Sequence, residues 1–157
     1  MLKIDIFAIG NRLPGWVSEG VEEYTRRLPA NINLKWNQFR LQSKEGKKNT
    51  VIAREKQGER LLAAIPIGSK VIALDERGDA WSSKSLANTL SNWMFDSEYI
   101  CILIGGPDGL SPKCLERADQ IWSLAPITLP HFLVRIILVE QLYRACSINL
   151  GHPYHRE

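Results

Sequence analysis

Tyr99-Ile100-Cys101-Ile102-Leu103-Ile104-Gly105-Gly106-Pro107-Asp108-Gly109-Leu110 reads as a buried strand that runs straight into a glycine turn. An apolar run of this length, rich in isoleucine, fits a strand covered on both faces. Gly105, Gly106 and Gly109 follow it, and Ser111-Pro112 then opens a short helix that tolerates proline in its first turn. Glycine lets the backbone take φ > 0 and lets a ligand approach with no Cβ in the way. The turn is not a P-loop, because no Gly-Lys-Ser/Thr follows, and it is not G-x-G-x-x-G. Taken alone it is either a tight strand-to-helix turn or one wall of a site.

Strand and helix patterns alternate on both sides of this stretch. Leu2 to Ile9 is a strand ending at Gly10, and Trp16, Val17, Val21, Tyr24 and Leu28 recur at helical spacing. Ile32, Leu34 and Trp36 alternate with polar residues, as in a half-buried strand. Residues 42–49 are polar, and a helix runs from Asn49 or Thr50 through Leu62. Lys70 to Leu74 is a buried strand closed by Asp75 and Gly78. Ser82 or Ser83 caps a helix with Leu86, Leu90, Trp93 and Met94 on its apolar face. Ile121 to Leu124 is a short strand, and Phe132 to Cys146 a long helix. This order predicts a single α/β domain over 1–157, with a mainly parallel sheet and helices on both faces. Such folds bind ligands at the carboxyl ends of their strands, where both the Asp75 region and the Gly105 turn lie.

A hydrophobic fraction of 45% and a charged fraction of 24% are those of an ordinary globular domain. No apolar run is long enough to cross a bilayer, and Met1-Leu2-Lys3-Ile4-Asp5 reads as a strand, not a signal peptide. Cys101, Cys114 and Cys146 have no C-x-x-C spacing and read as reduced, buried thiols of a cytoplasmic protein. The net charge of +3 is concentrated between Leu41 and Arg60. There Lys44, Lys47, Lys48, Arg54, Lys56 and Arg60 face only Glu45, Glu55 and Glu59. The run is either a solvated surface or an electrostatic footprint for a polyanion.

Three other stretches carry chemistry. Ser123-Leu124-Ala125-Pro126-Ile127-Thr128-Leu129-Pro130 is an apolar loop; a ligand there would meet backbone N–H and C=O groups between aliphatic walls, which suits a purine. The helix after it is apolar nearly all round, so it is central to the core or half of a subunit interface. Arg135 on that helix needs an anion if buried, and Glu140 pairs naturally with Arg144 at i,i+4. His131, which starts the helix, is a cap, a core contact or a catalyst. The last stretch, His152-Pro153-Tyr154-His155-Arg156-Glu157, combines an aromatic face, imidazoles and a fixed cation. His152-x-x-His155 has no further ligand set around it, so no metal site is expected.

Read together, these motifs resemble the bacterial 23S rRNA pseudouridine-N3 methyltransferase family, of the SPOUT or α/β-knot class. The resemblance covers the whole chain. It rests on Gly10 and Pro14-x-Trp16, Leu103-Ile104-Gly105-Gly106-Pro107, and Thr128-Leu129-Pro130-His131. Val134-Arg135, Glu140-Gln141-Leu142-Tyr143-Arg144-Ala145 and the His-Pro-Tyr-His-Arg-Glu tail complete it. It implies a C-terminal trefoil knot, a homodimer built on the helix from Phe132, and S-adenosyl-L-methionine as methyl donor. Leu74, Gly105, Gly106 and Ala125, Pro126, Ile127, Thr128, Leu129 and Pro130 would hold the donor. The expected substrate is 23S rRNA in the assembled ribosome. Within the tail, Arg156 would stabilise the developing anion, His155 manage the proton and Tyr154 orient the base, with Arg135 nearby. Two other readings stay open: a SPOUT enzyme acting on tRNA, and a non-enzymatic ribosome-associated RNA-binding factor.

Overall fold

A computed structural model describes residues 1–41, 50–96 and 98–155. The element order is β1 (Leu2–Ile9), α1 (Gly15–Thr25), β2 (Ile32–Phe39), α2 (Thr50–Ala64), β3 (Lys70–Ala80) and α3 (Ser83–Phe95). Then come β4 (Tyr99–Ile104), α4 (Pro112–Arg117), β5 (Gln120–Ser123) and α5 (His131–Asn149). The five strands form one parallel sheet in the order β2-β1-β4-β3-β5. The α/β class, the parallel sheet and the alternation expected from the sequence are all present.

The side-chain alternation of β1 and β4 explains why the sheet is covered twice. Ile4 lies opposite Ile100, Ile6 opposite Ile102 and Ala8 opposite Ile104, and all six point to one face. There they meet Leu86, Leu90 and Trp93 of α3 and Leu138, Leu142 and Cys146 of α5. Phe7, opposite Leu103, points with Cys101 to the other face, where Leu61 of α2 and Cys114 of α4 close a second core. The central strands, with an apolar residue at nearly every position, are buried on both sides. All three cysteines are free and buried, as their placement in apolar strands and helices predicts.

Local chemistry sets the element ends. Ser82 caps α3 by accepting from the Ser85 amide at 3.1 Å, and Ser111 does the same for Cys114 at 3.3 Å. α5 closes in a Schellman turn: Gly151 N–H donates to the Ile148 carbonyl and His152 N–H to that of Ser147. Two boundaries differ from the sequence expectation. α5 continues to Asn149, because Ser147 and Ile148 still pack inward or against the core. β3 does not stop at Leu74. It bulges out over residues 75–78 and pairs with β5 again, so that Leu74 and Asp79 both take Trp122 as partner. The second pass has no apolar pattern to announce it. It fits because Gly78 lies against Ile121, whose backbone carbon would stand 2.6 Å from any added Cβ.

Candidate active site

The carboxyl ends of β3, β4 and β5 open into a crevice of about 450 Å³. The Gly105–Gly109 turn forms one wall, and the loop that carries the chain from β5 to α5 forms the other. Of the residues assigned to donor binding from the sequence, Leu74, Gly105, Gly106, Ala125, Ile127, Thr128 and Leu129 line it. Pro126 and Pro130 do not line it; Pro130 instead precedes the first turn of α5 and accepts from the amides of Leu133 and Val134.

The glycines act differently from the simple expectation. Gly109 takes the positive φ of 80° and donates its amide back to the Gly106 carbonyl at 2.9 Å. Gly105 is needed for space, since an added Cβ would stand 2.5 Å from the Gly109 carbonyl carbon. At Gly106 the added Cβ would face Ile9 and Leu41 and not the crevice. The turn is held by its own backbone, which leaves its outer edge fixed as a wall.

The sequence places the Asp75 region at a ligand-binding strand end but gives Asp75, Glu76 and Arg77 no role; the bulge of β3 brings their charge to the crevice. Asp75 accepts from the Arg77 Nε at 2.9 Å, from Nη2 at 3.0 Å and from the Arg77 amide. That guanidinium holds the Asp75 carboxyl below its ordinary range. Glu76 reaches across the mouth and accepts from the Thr128 hydroxyl at 2.8 Å, tying the bulge to the apolar loop. Trp122, stacked on Trp81 with centroids 4.9 Å apart, lines the floor. Its Nε1 is buried and has no hydrogen-bond partner among the described residues. A polar stretch after an apolar strand looks like an ordinary turn; only the return pairing with β5 turns these side chains into the crevice.

His131 and Arg135 stand one helical turn apart beside Gly10. The Gly10 backbone has φ 108°, and an added Cβ would meet His131 Nε2 and Arg135 Nη2 at 3.4 Å each. Arg135 is fully buried, yet among the described residues no carboxylate pairs with it. It donates to the carbonyls of Ile9 at 3.1 Å and Gly10 at 2.7 Å and to Gln38 Oε1 at 3.1 Å, and it lies over the Trp36 ring. Burial lowers its pKa to about 10, so it stays charged at neutral pH. Carbonyl dipoles take the place of the anion expected from the sequence, and Arg135 lines no part of the crevice. It pins the ends of β1 and β2 to α5. His131 lines the crevice itself, and burial, then the Arg135 charge, lowers its pKa below 6.5.

The tail lies elsewhere. Tyr154 donates to Glu140 Oε1 at 3.0 Å, packs its ring 4.6 Å from that of Tyr143 and lies under the Arg144 guanidinium. Burial and the Glu140 hydrogen bond raise its pKa to about 12. The expected Glu140–Arg144 pair is present, with contacts of 2.6 and 2.9 Å. Glu140 is about 13 Å further along the helix axis than His131. Within one chain, neither Tyr154 nor His155 lines the crevice. Arg156 lies outside the described residues, as do Lys44, Lys47 and Lys48 of the basic segment.

Solved structures of similar fold share less than 25% identity with the chain, so they speak to architecture alone. A probable methyltransferase from Bordetella pertussis Tohama I is 14% identical, with a TM-score of 0.58 over 90% of this chain and 95% of that one. A putative methylase family protein from Neisseria gonorrhoeae is 10% identical, with a TM-score of 0.56 over 99% and 86%. A probable methylase family protein from Haemophilus influenzae Rd KW20 is 11% identical, with a TM-score of 0.54 over 99% and 70%. The family model described as predicted SPOUT methyltransferase matches residues 2–155, nearly the full length. The chain therefore belongs to the SPOUT methyltransferase family.

Proposed function

We propose that the protein uses S-adenosyl-L-methionine to methylate N3 of a pseudouridine in 23S rRNA on the assembled ribosome. One observation carries the reading: a SPOUT family chain has a crevice with aliphatic walls at its strand ends and a Tyr-His-Arg tail like that of the pseudouridine-N3 enzymes. The crevice fits the donor. Its volume suits a nucleoside-sized ligand, Leu74, Ile127 and Leu129 offer aliphatic walls, and Trp122 holds an unsatisfied buried donor group. Asp75 and Glu76 are at hand for ribose hydroxyls. When bound, the donor supplies an electrophilic sulfonium methyl.

The chain's own residues have two tasks. They must hold the acceptor nitrogen in line with that methyl, and they must take the imide proton that makes N3 a poor nucleophile. Tyr154 and His155 do not line the crevice of their own chain. A homodimer through α5 is the arrangement that lets a tail serve a neighbouring crevice. Leu133 on α5 and Trp16 on α1 are exposed on one chain, which supports such a pairing. Arg54, Lys56 and Arg60 of α2 extend the basic segment that would grip RNA phosphates. The trefoil knot implied by the resemblance is part of this reading.

Mass spectrometry of rRNA and tRNA from a strain lacking the gene tests this reading. Loss of one N3-methylpseudouridine from 23S rRNA is expected. Loss of a methyl group from tRNA would transfer the activity to the tRNA reading. Unchanged RNA, with a protein that binds no S-adenosyl-L-methionine, would leave the non-enzymatic RNA-binding factor.

A further inference from the structure

A second cavity, of about 380 Å³, lies beside the crevice at the carboxyl ends of β1 and β2. Gly10, Asn11 and Arg12 enter it from the turn after β1, and Arg40 and Leu41 from the end of β2. Pro107 comes from the glycine turn, and His131 and Phe132 from the first turn of α5. Pro107 and His131 are shared with the crevice, so the two spaces are neighbours across one imidazole. Among the described residues, neither the Arg12 nor the Arg40 guanidinium has a hydrogen-bond or ion-pair partner. Neither nitrogen of His131 is hydrogen-bonded among them either. Two cations without a partner among the described residues, an aromatic ring and an imidazole around one cavity are the chemistry of a nucleotide site.

We propose that this second cavity receives the RNA nucleotide to be methylated. Arg12 and Arg40 hold its phosphates, Phe132 and Leu41 contact the base, and His131 is the proton acceptor that faces the reacting nitrogen. The inference deepens the methyltransferase reading and rests on it. In the step, the base nitrogen gives up its proton to the His131 imidazole, which becomes an imidazolium and later releases it to water. The nitrogen lone pair forms the new C–N bond while the C–S bond of the sulfonium donor breaks and leaves its electron pair on sulfur. Atoms and charge balance with no further reactant.

The surroundings of His131 keep it in the form this step needs. Arg135 on the same helix, Arg12 after β1 and Arg40 after β2 are all cationic. Asp108 after β4, with Asp75 and Glu76 on the β3 bulge, are the carboxylates lining the crevice that His131 shares. Burial and Arg135 lower the imidazole's pKa, so at pH 7 and above it is neutral and able to accept. Turnover is expected to be flat from pH 7 upward with respect to this group. It should fall in acid only at a pH below the ordinary histidine range.

The test uses the full chain, ribosomes from a strain lacking the gene, and S-adenosyl-L-methionine. Donor affinity of each variant is measured by calorimetry, and RNA affinity is measured with no donor present. R12A/R40A should weaken RNA binding and lower its salt slope by about 0.7 per lost cation. Its donor affinity should stay within about twofold, while kcat/KM on ribosomes should fall along with RNA affinity. H131A should keep both affinities and lose roughly 10²–10⁴-fold in kcat, with part of the loss restored by added imidazole. H131N checks the same point with a side chain that keeps the volume. An R12A/R40A protein with wild-type RNA affinity and salt slope would overturn the nucleotide site. Wild-type turnover in H131A and H131N, or a loss that imidazole cannot restore in a folded variant, would overturn the proton acceptor. A wild-type protein that binds no donor would instead remove the reading on which both rest.

Discussion

At the scale of single residues, chemistry in this chain is decided by what surrounds a side chain more than by its identity. Arg135 and His131 are one helical turn apart, both buried in part or whole, and have different fates. Arg135 gives both Nη groups to the carbonyls of Ile9 and Gly10 and to Gln38, and so serves the fold. His131 has no such partners and opens onto both cavities. The sequence shows a basic residue in an apolar helix and a histidine at its start. It does not show that the turn at Gly10 would present carbonyls to one and open space to the other. His131 also has a measurable effect on stability. Its folded pKa lies below the unfolded value near 6.5, so above that pH both states are neutral and its contribution to stability is at its fullest. As pH falls below 6.5 the unfolded chain takes up a proton that the folded chain resists, and that stability is lost down through the folded pKa. Denaturant unfolding at pH 7.5 and at successively lower pH should therefore show a loss that H131N reduces. Equal acid slopes in both proteins would show that burial leaves the imidazole unperturbed.

At the scale of elements, α5 has to be read face by face. Its sequence is apolar nearly all round, which cannot tell core from interface. The fold shows which positions a single chain covers: Leu138, Val139, Leu142 and Ala145 are fully buried, while Leu133 is exposed and Ile137 half-buried. A charge at Leu138 or Val139 would break the core and say nothing about assembly. L133E is the informative change. It should shift sedimentation from dimer to monomer at micromolar concentration and leave S-adenosyl-L-methionine affinity within a few-fold; an unchanged dimer would contradict an α5 interface. The tail is a second case. Its motif is legible, but its location is not, because Tyr154 finds Glu140, Tyr143 and Arg144 on the outer side of α5. Deleting residues 152–157 removes, among the described contacts, the Tyr154–Glu140 hydrogen bond, the Tyr143 ring contact, the Arg144 cation–π contact and the His152 amide bond that closes α5, and should cost about 2–4 kcal/mol of stability. Donor affinity should survive, while methyl transfer should fall by at least about tenfold. A truncated protein that methylates ribosomes at the full rate would show that the tail has no part in the chemistry.

At the scale of the whole molecule, the architecture was legible because it follows from hydrophobic pattern. The runs in β1 and β4 demand cover on both faces, and a parallel sheet with α1, α3 and α5 on one side and α2 and α4 on the other provides it. The glycine turn and the apolar loop were legible as one crevice because both follow strands whose carboxyl ends lie together. The return of β3 beside β5 was not, since a polar edge pairing has no periodic signature. It places Asp75, Glu76 and Arg77 in the crevice and could be found only in three dimensions. The second cavity was hidden for a similar reason: Arg12, Arg40 and His131 are far apart in sequence and meet only because β1 and β2 are neighbours in register. The most direct measurement is transfer of label from methyl-labelled S-adenosyl-L-methionine by the purified protein to ribosomes, with bulk tRNA as a parallel acceptor, followed by nucleoside mapping. The expected result is label on N3 of a single pseudouridine of 23S rRNA and none in tRNA. Label in tRNA, or no transfer to either RNA by a protein that binds the donor, would contradict it.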